Sequence, residues 1–226
     1  MQHVSASSTL CGTNEAVTEV WTSPTLEGRT VRLEPLAPEH ADGLWEASRD
    51  PRTWEWLSIV QPATREAFDD YLGAALDAAR GGTEIPLVTV CYEHVVGSTR
   101  FLALRPEHGS VEIGWTWLHP SAWQTGANVE AKLLMLGHAF DVWRCRRVEL
   151  KTDARNARSR GAMERLGATF EGVHRKHMLV RDDENRDSAW YSVTDDDWQD
   201  VHRGLELRLS ALPAAPKVPR KPTRFS

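Results

Sequence analysis

The chain has 226 residues, 41% hydrophobic and 26% charged, the proportions of a globular protein with one sizeable core and peripheral tails. Its 27 Lys and Arg against 32 Asp and Glu leave a net charge of −5, which argues against a general nucleic-acid binder. No apolar run approaches the ~20 residues that span a bilayer, and the three scattered cysteines, Cys11, Cys91 and Cys145, lack metal-ligand spacing, so a reduced, cytoplasmic, metal-free chain without a secretory leader is expected.

Residues 1–25 are rich in Ser, Thr and small side chains without periodicity and read as a loose arm. A first strand is expected over 30–35, closed by Pro35, and a helix over 38–48 with Ala41, Leu44 and Trp45 inward. Residues 50–57 form a turn carrying Trp54 and Trp56. A second helix over 64–80 is built on Phe68, Leu72, Ala75 and Leu76 and stops at Gly81-Gly82. Residues 85–92 and 95–104 make a hairpin turned at Glu93-His94. The next strand, 111–118, alternates with period two: Val111, Ile113, Trp115 and Trp117 share one face, and Glu112, Gly114 and Thr116 the other.

A loop from His119 to Asn128 leads into a helix over 129–142, with Asn128 as N-cap and Glu130 suiting the positive end of the helix dipole. Leu133, Leu134, Met135, Leu136, Ala139 and Phe140 leave this helix almost no polar side, so it is expected to be buried. A glycine-bearing loop entering a buried helix offers free backbone N–H groups to an anion. Residues 147–152 form a half-buried strand, and Asn156 or Asp153 starts a short helix with Ser159, Ala162, Met163 and Leu166 on one side and Gly167 as its stop. Two more strands, 168–181 and 186–193, flank a polar turn. Thr194 caps a last helix, with Asp197 completing a capping box and Trp198, Val201, Leu205 and Leu209 as its stripe. Residues 211–226 carry a proline at every third position interleaved with Lys and Arg, and read as a solvated tail. The elements add up to a mixed α/β sheet of six or seven strands.

In their order and spacing, Trp123-Gln124-Thr125-Gly126-Ala127-Asn128, Asn156-Ala157-Arg158-Ser159, Arg165-Leu166-Gly167-Ala168, Glu171-Gly172-Val173, and Arg186-Asp187 ahead of Trp190-Tyr191-Ser192 resemble the GNAT acyltransferases. Within them the chain looks like the RimJ/RimL type, which acetylates protein N-termini and related amines; the resemblance spans about 26–209, and the domain is placed at 26–210. It implies a GNAT fold, with helices on both faces of a sheet that splays after the Val111 strand to admit an acyl thioester. Acetyl-CoA is the implied co-substrate. Its pantetheine would pair with backbone at Trp117 and Leu118, and its pyrophosphate would sit on the amides of Gln124, Thr125, Gly126, Ala127, Asn128 and Val129. Asn156 would cap its helix and touch pantetheine. Two positions depart from the family pattern. Trp123 stands where Gln or Arg is usual, and Met163 stands where many members carry a tyrosine as general acid.

Amide formation from a thioester needs a neutral amine held near the carbonyl and a thiolate able to leave. Neutralising a lysine side chain at pH 7.4 costs roughly 4 kcal/mol, an α-amine only about 1. On this strand a glutamate of GNAT relatives often deprotonates the amine through water, which makes Glu112 the candidate base; a salt-bridge role is the competing reading. Ser159 could hydrogen-bond the leaving sulfur or merely satisfy backbone. His138 reads as a core residue, while His174 and His177, three apart in a strand, point to opposite faces and form no metal pair. Trp54 and Trp56 either line the acceptor pocket or close the core, and Arg155, Arg158 and Arg160 are candidates for the 3′-phosphate of coenzyme A. The leading function is therefore transfer of acetyl from acetyl-CoA to a primary amine by direct attack, on a protein N-terminus or a small molecule. The alternative is a GNAT-fold module that binds acyl-CoA without turnover. A dinucleotide-binding protein is disfavoured by the lack of Gly-x-Gly-x-x-Gly.

Overall fold

The computed structural model describes residues 21–181 and 183–212; the expected tail from Pro213 and the arm up to residue 20 lie outside them. Eight strands form one sheet: β1 (Leu26–Glu27), β2 (Val31–Pro35), β3 (Ile85–Cys91), β4 (His94–Arg105), β5 (Ser110–Leu118), β6 (Arg147–Asp153), β7 (Thr169–Val180) and β8 (Glu184–Thr194). Their order is β1-β2-β3-β4-β5-β6-β8-β7, antiparallel throughout except where β6 lies parallel to β5. The helices are α1 (Ala41–Ala47), α2 (Arg65–Arg80), α3 (Ala127–Gly137), α4 (Ala157–Leu166) and α5 (Asp195–Ser210). The strand beyond the expected six or seven is β1, two residues pairing Leu26 with Leu33, too short to show a period.

Helices cover both faces, because the central strands are apolar on both. All seven residues of β3 are buried, as a strand sandwiched between two layers requires. On one face Leu44, Phe68 and Leu72 of α1 and α2 pack on Val88, Val90 and Trp117. On the other, Met135 and Leu136 of α3 and Trp198 and Leu205 of α5 pack on Leu87, Ile113, Leu150 and Tyr191. The α1–α2 layer lies over strands β3–β5, and among the described residues no helix covers the same face of β6, β8 and β7. Trp21, at the end of the expected arm, is buried and stacks on Trp143 at 4.7 Å.

Several local expectations change. The hairpin turns on Tyr92 and Glu93, both at positive φ, one residue earlier than expected. The N-cap of α3 is Gly126, at φ +93°, and Asn128 lies within the first turn. That helix ends at Gly137 and widens into a π-helical turn over His138–Val142, closed by Trp143 N–H donating to the His138 carbonyl. Its surroundings are not uniformly apolar either, since Glu130 and Lys132 are both buried. Glu130 accepts hydrogen bonds from the Thr30 hydroxyl and from the amides of Arg29 and Thr30, tying the β1–β2 turn to the helix.

The alternation of β5 breaks at Trp115, whose φ is +50°. Opposite it the pairing slips, so that Ser98 faces Trp117 but Arg100 faces Gly114, a β-bulge. The extra residue moves Trp115 and Trp117 onto the Glu112 face, where they meet Tyr71 and Trp54. It also turns Thr116 toward α3, where its hydroxyl receives Lys132 Nζ at 2.7 Å.

Candidate active site

Strands β5 and β6 pair at only three positions, Ser110 with Arg147, Val111 with Val148 and Glu112 with Glu149. Beyond Glu112 they diverge, and a slot opens in the middle of the sheet. Backbone geometry decides which β5 groups face it. The His119 amide donates to the Val96 carbonyl at 2.7 Å, so by the alternation of an antiparallel ladder the polar groups of Leu118 point away from β4 and those of Trp117 toward it. Of the two residues expected to offer backbone, Leu118 therefore faces the slot and Trp117 does not. The Leu118 carbonyl already accepts the Trp123 indole N–H at 2.9 Å.

The N-terminus of α3 lies at the end of this loop. Gln124 at φ +61° and Gly126 at φ +93° fold the chain into the helix. The Thr125 hydroxyl donates to the Ala122 carbonyl at 2.8 Å and accepts from the Ala127 amide at 3.3 Å. Helical geometry leaves the amides of Asn128 and Val129 without an intrahelical acceptor. Leu212 leans over Gly126; a Cβ there would come within 2.2 Å of Leu212 Cδ1.

Two guanidinium groups lie over the ring of Trp123. Arg158 lies over the Trp123 ring at 4.0 Å and Arg52 at 5.7 Å. Arg155 is held by Asp153 and Glu184, and Arg160 by the Tyr191 hydroxyl, whereas Arg158 has no carboxylate partner among the described residues. Asn156 is buried and caps α4, its Oδ1 accepting from the Ser159 amide at 2.9 Å. Ser159 and Met163 are half-buried on the same helix.

Glu112 marks the apex of the slot, on the face away from α3. Only 3% of it is exposed, and its Oε2 accepts from Lys151 Nζ at 2.7 Å. Burial raises its carboxyl above the ordinary range while Lys151 pulls the other way, leaving the net shift upward. The space left by Gly114 is bounded by this carboxylate, because a Cβ at Gly114 would lie 3.0 Å from Glu112 Oε1.

From Glu112 the uncovered face of β6, β8 and β7 runs outward as a polar wall. The register sets Lys151 beside Trp190 and Asp153 beside Ser188, with Arg186 next along β8. His174 and His177, expected on opposite faces, come together with ring centroids 5.9 Å apart. Between His174 and Met178 the strand carries two residues more than β8 opposite, with Lys176 at φ +51°, and this bulge brings them round. They also pack on Trp190, and His177 Nδ1 meets Ser188 Oγ at 3.0 Å. The opposite wall is aromatic. Trp54, Tyr71, Trp115 and Trp117 are in mutual contact, with Trp117 Nε1 donating to the Tyr71 hydroxyl at 3.2 Å. Trp54 closes the core there, its Nε1 donating to the Ser48 carbonyl at 2.7 Å. Arg181 bridges the two walls, its amide donating to the Ser58 carbonyl at 3.1 Å and its guanidinium to Leu57.

Lys151, Trp190, His177 and Arg186 escaped the sequence reading as site residues. The signal was there in β8, where Arg186, Ser188 and Ser192 alternate with buried Ala189, Tyr191 and Val193, marking a strand with one polar face. Among the described residues no group of three His, Cys, Asp or Glu is placed to hold a metal, and no helix is long and apolar enough to cross a membrane.

Residues 30–169 match the model of the acetyltransferase (GNAT) domain. Among solved structures, a GCN5-related N-acetyltransferase from Brucella melitensis is 33% identical over 85% of this chain and 88% of its own, with a TM-score of 0.79. An acetyltransferase from T. thermophilus is 40% identical over 84% and 99%, with a TM-score of 0.77. Mycobacterium smegmatis RimJ in complex with CoA-disulfide shares the fold at 19% identity over 79% and 88%, with a TM-score of 0.69. No curated protein sequence matches the chain. A sheet splayed beside a glycine-capped helix, matched along most of its length by these enzymes, is the GNAT architecture, and the chain belongs to the GNAT acetyltransferase family of acyltransferases.

Proposed function

We propose that the protein transfers acetyl from acetyl-CoA to a primary amine by direct attack, with Glu112 as general base. The observation that carries this reading is the position of a buried carboxylate at the apex of the β5–β6 slot, on the face opposite the α3 cradle. The two substrates then approach from opposite sides of the sheet and meet at one point.

On the coenzyme side, the pyrophosphate accepts from the amides of the loop and first helical turn, Gln124 to Val129, where the dipole of α3 favours negative charge. Arg158, stacked on Trp123, supplies a cation beside that loop. The amide groups of pantetheine pair with the slot edge at Leu118, and Asn156 and Ser159 at the start of α4 border the sulfur end. On the acceptor side the amine enters between the aromatic wall and the β6–β8–β7 face. Its proton passes to Glu112, directly or through water; its lone pair attacks the thioester carbonyl, and coenzyme A leaves as thiolate. A carboxyl raised by burial is the stronger base for this step. Lys151 then neutralises the carboxylate before each turnover. The acceptor is a protein N-terminus or a small amine; RimL, whose fold the chain shares, is a ribosomal L7/L12 α-N-protein acetyltransferase.

The test is calorimetric titration with acetyl-CoA, followed by thiol release with a panel of peptides and small amines. One binding site per chain and amine-dependent thiol release are expected. Binding without release from any amine would sink the catalytic reading, and absence of both would sink the site.

A further inference from the structure

The acceptor wall holds a cation that the reaction described above does not use. Arg186 is 8% exposed, yet it makes no hydrogen bond and no ion pair with any described residue, and its Nε is buried without an acceptor. A buried guanidinium normally sits against a carboxylate, since desolvating it uncompensated costs several kcal/mol. The two carboxylates whose charge reaches it are already engaged. Asp153 is gripped by Arg155 through both oxygens, and Glu112 by Lys151. Glu184 pairs with Arg155 and Arg181 in the same network. Among the described residues the network therefore sets four cations, Lys151, Arg155, Arg181 and Arg186, against three carboxylates.

The neighbours of Arg186 are of the same kind. Burial and the charges of Lys151, His174 and Arg186 push the His177 imidazole toward its neutral form, and Trp190 Nε1 is a second buried donor without an acceptor. Arg186 lies on the face of β8 that carries Ser188 and Trp190, the same side of the sheet on which Glu112 meets Lys151. A surplus buried cation with an unpaired Nε, on the same side of the sheet as the candidate base and as the unsatisfied Trp190 indole N–H, is complementary to one kind of acceptor.

We propose that the acceptor carries a carboxylate in addition to its amine, and that Arg186 receives that carboxylate as the specificity-determining residue of the site. The carboxylate belongs either to a small amino acid or to an acidic residue next to a peptide's N-terminus. The inference rests on the transferase reading and adds the acceptor class to it. The acceptor's carboxylate accepts from the guanidinium in a bidentate pair.

The experiment compares matched acceptors that differ in one charge: 4-aminobutyrate against its amide, and Ser-Asp-Ala-amide against Ser-Asn-Ala-amide. The expected result is a preference of ~10-fold or more in kcat/KM for the acid in at least one pair, expressed mainly in KM, as a charge-assisted pair requires. The pair that shows it identifies the source of the carboxylate. Arg186→Gln should collapse the acid-to-amide ratio toward 1, and Arg186→Lys should retain part of it. Equal rates for acid and amide in the parent protein overturn the proposal without any variant. An equal loss on both members in Arg186→Gln also overturns it, and would give Arg186 the role of neutralising Glu112 and Asp153. Should no amine release thiol, the transferase reading fails separately, and calorimetric binding of the same pairs in the presence of coenzyme A still decides whether Arg186 selects a carboxylate.

Discussion

Lys132 offers a perturbation whose size follows from the structure. It is buried in α3, with the Thr116 hydroxyl at 2.7 Å and the Thr99 hydroxyl at 3.4 Å as its hydrogen-bond partners and no carboxylate beside it among the described residues. Burial lowers its pKa from 10.5 to about 7. Between those values the unfolded chain holds a proton that the native chain has released, so stability rises with pH across that window and falls as pH drops toward 7. At about 1.4 kcal/mol per unit, the ammonium costs the fold up to about 5 kcal/mol at neutral pH. Lys132→Met keeps the length of the side chain and removes the charge. The two threonine hydroxyls, 2.8 Å apart, can satisfy each other. The variant should therefore be more stable than the parent at pH 7, by several kcal/mol, with the gain shrinking toward zero near pH 10. Urea unfolding of both proteins at intervals from pH 7 to 10 measures this difference, in which other titrating groups cancel. A variant of equal or lower stability at pH 7, or a difference that does not change with pH, would refute the reasoning.

Two further perturbations address the candidate site. Glu112→Gln keeps shape and removes basicity, so kcat/KM at pH 7 should fall by about 10²–10⁴-fold, and the deficit should narrow as rising pH supplies neutral amine from solution. A pH-rate profile with a constant deficit would assign Glu112 to positioning instead. Gly126→Val places a β-branched side chain at φ +93° and against Leu212, so both the melting temperature and acetyl-CoA affinity should fall; an unchanged affinity by calorimetry would move the phosphate site elsewhere.

Long, strongly patterned elements were legible in the chain alone. The stripe of Phe68 and Leu72 in α2, the capping box at Thr194 and Asp197, and the Gly167 stop each appear where local chemistry puts them. Positions where one residue changes the register were not. Trp115 and Lys176 adopt positive φ with side chains that do not advertise it; the bulge at Trp115 moves the later residues of β5 to the other face, and the one at Lys176 turns His177 toward His174. That is why the faces of Trp117 and of the His174–His177 pair came out inverted. The burial of Glu130 and Lys132 was not legible in an otherwise apolar helix, because their partners are about 100 residues away in Thr30 and on another element in Thr116. Glu112 stands out as a candidate base through the family resemblance, whereas the unpaired state of Arg186 is visible only once the carboxylates around it are seen to be already engaged.

The short seam between β5 and β6 has a consequence for what the sheet can bind. Strand edges normally lie at the periphery, where any extended chain can add itself and where proteins defend against it. Here the divergence after Glu112 creates two edges in the interior of the sheet, backed by α3 and flanked by Trp123 and the start of α4. A polypeptide strand entering such a recess would need room for side chains both above and below it. A thin chain with spaced amides and no substituents above or below can use the same backbone groups without that demand, so interior edges of this kind favour molecules threaded lengthwise over strand addition.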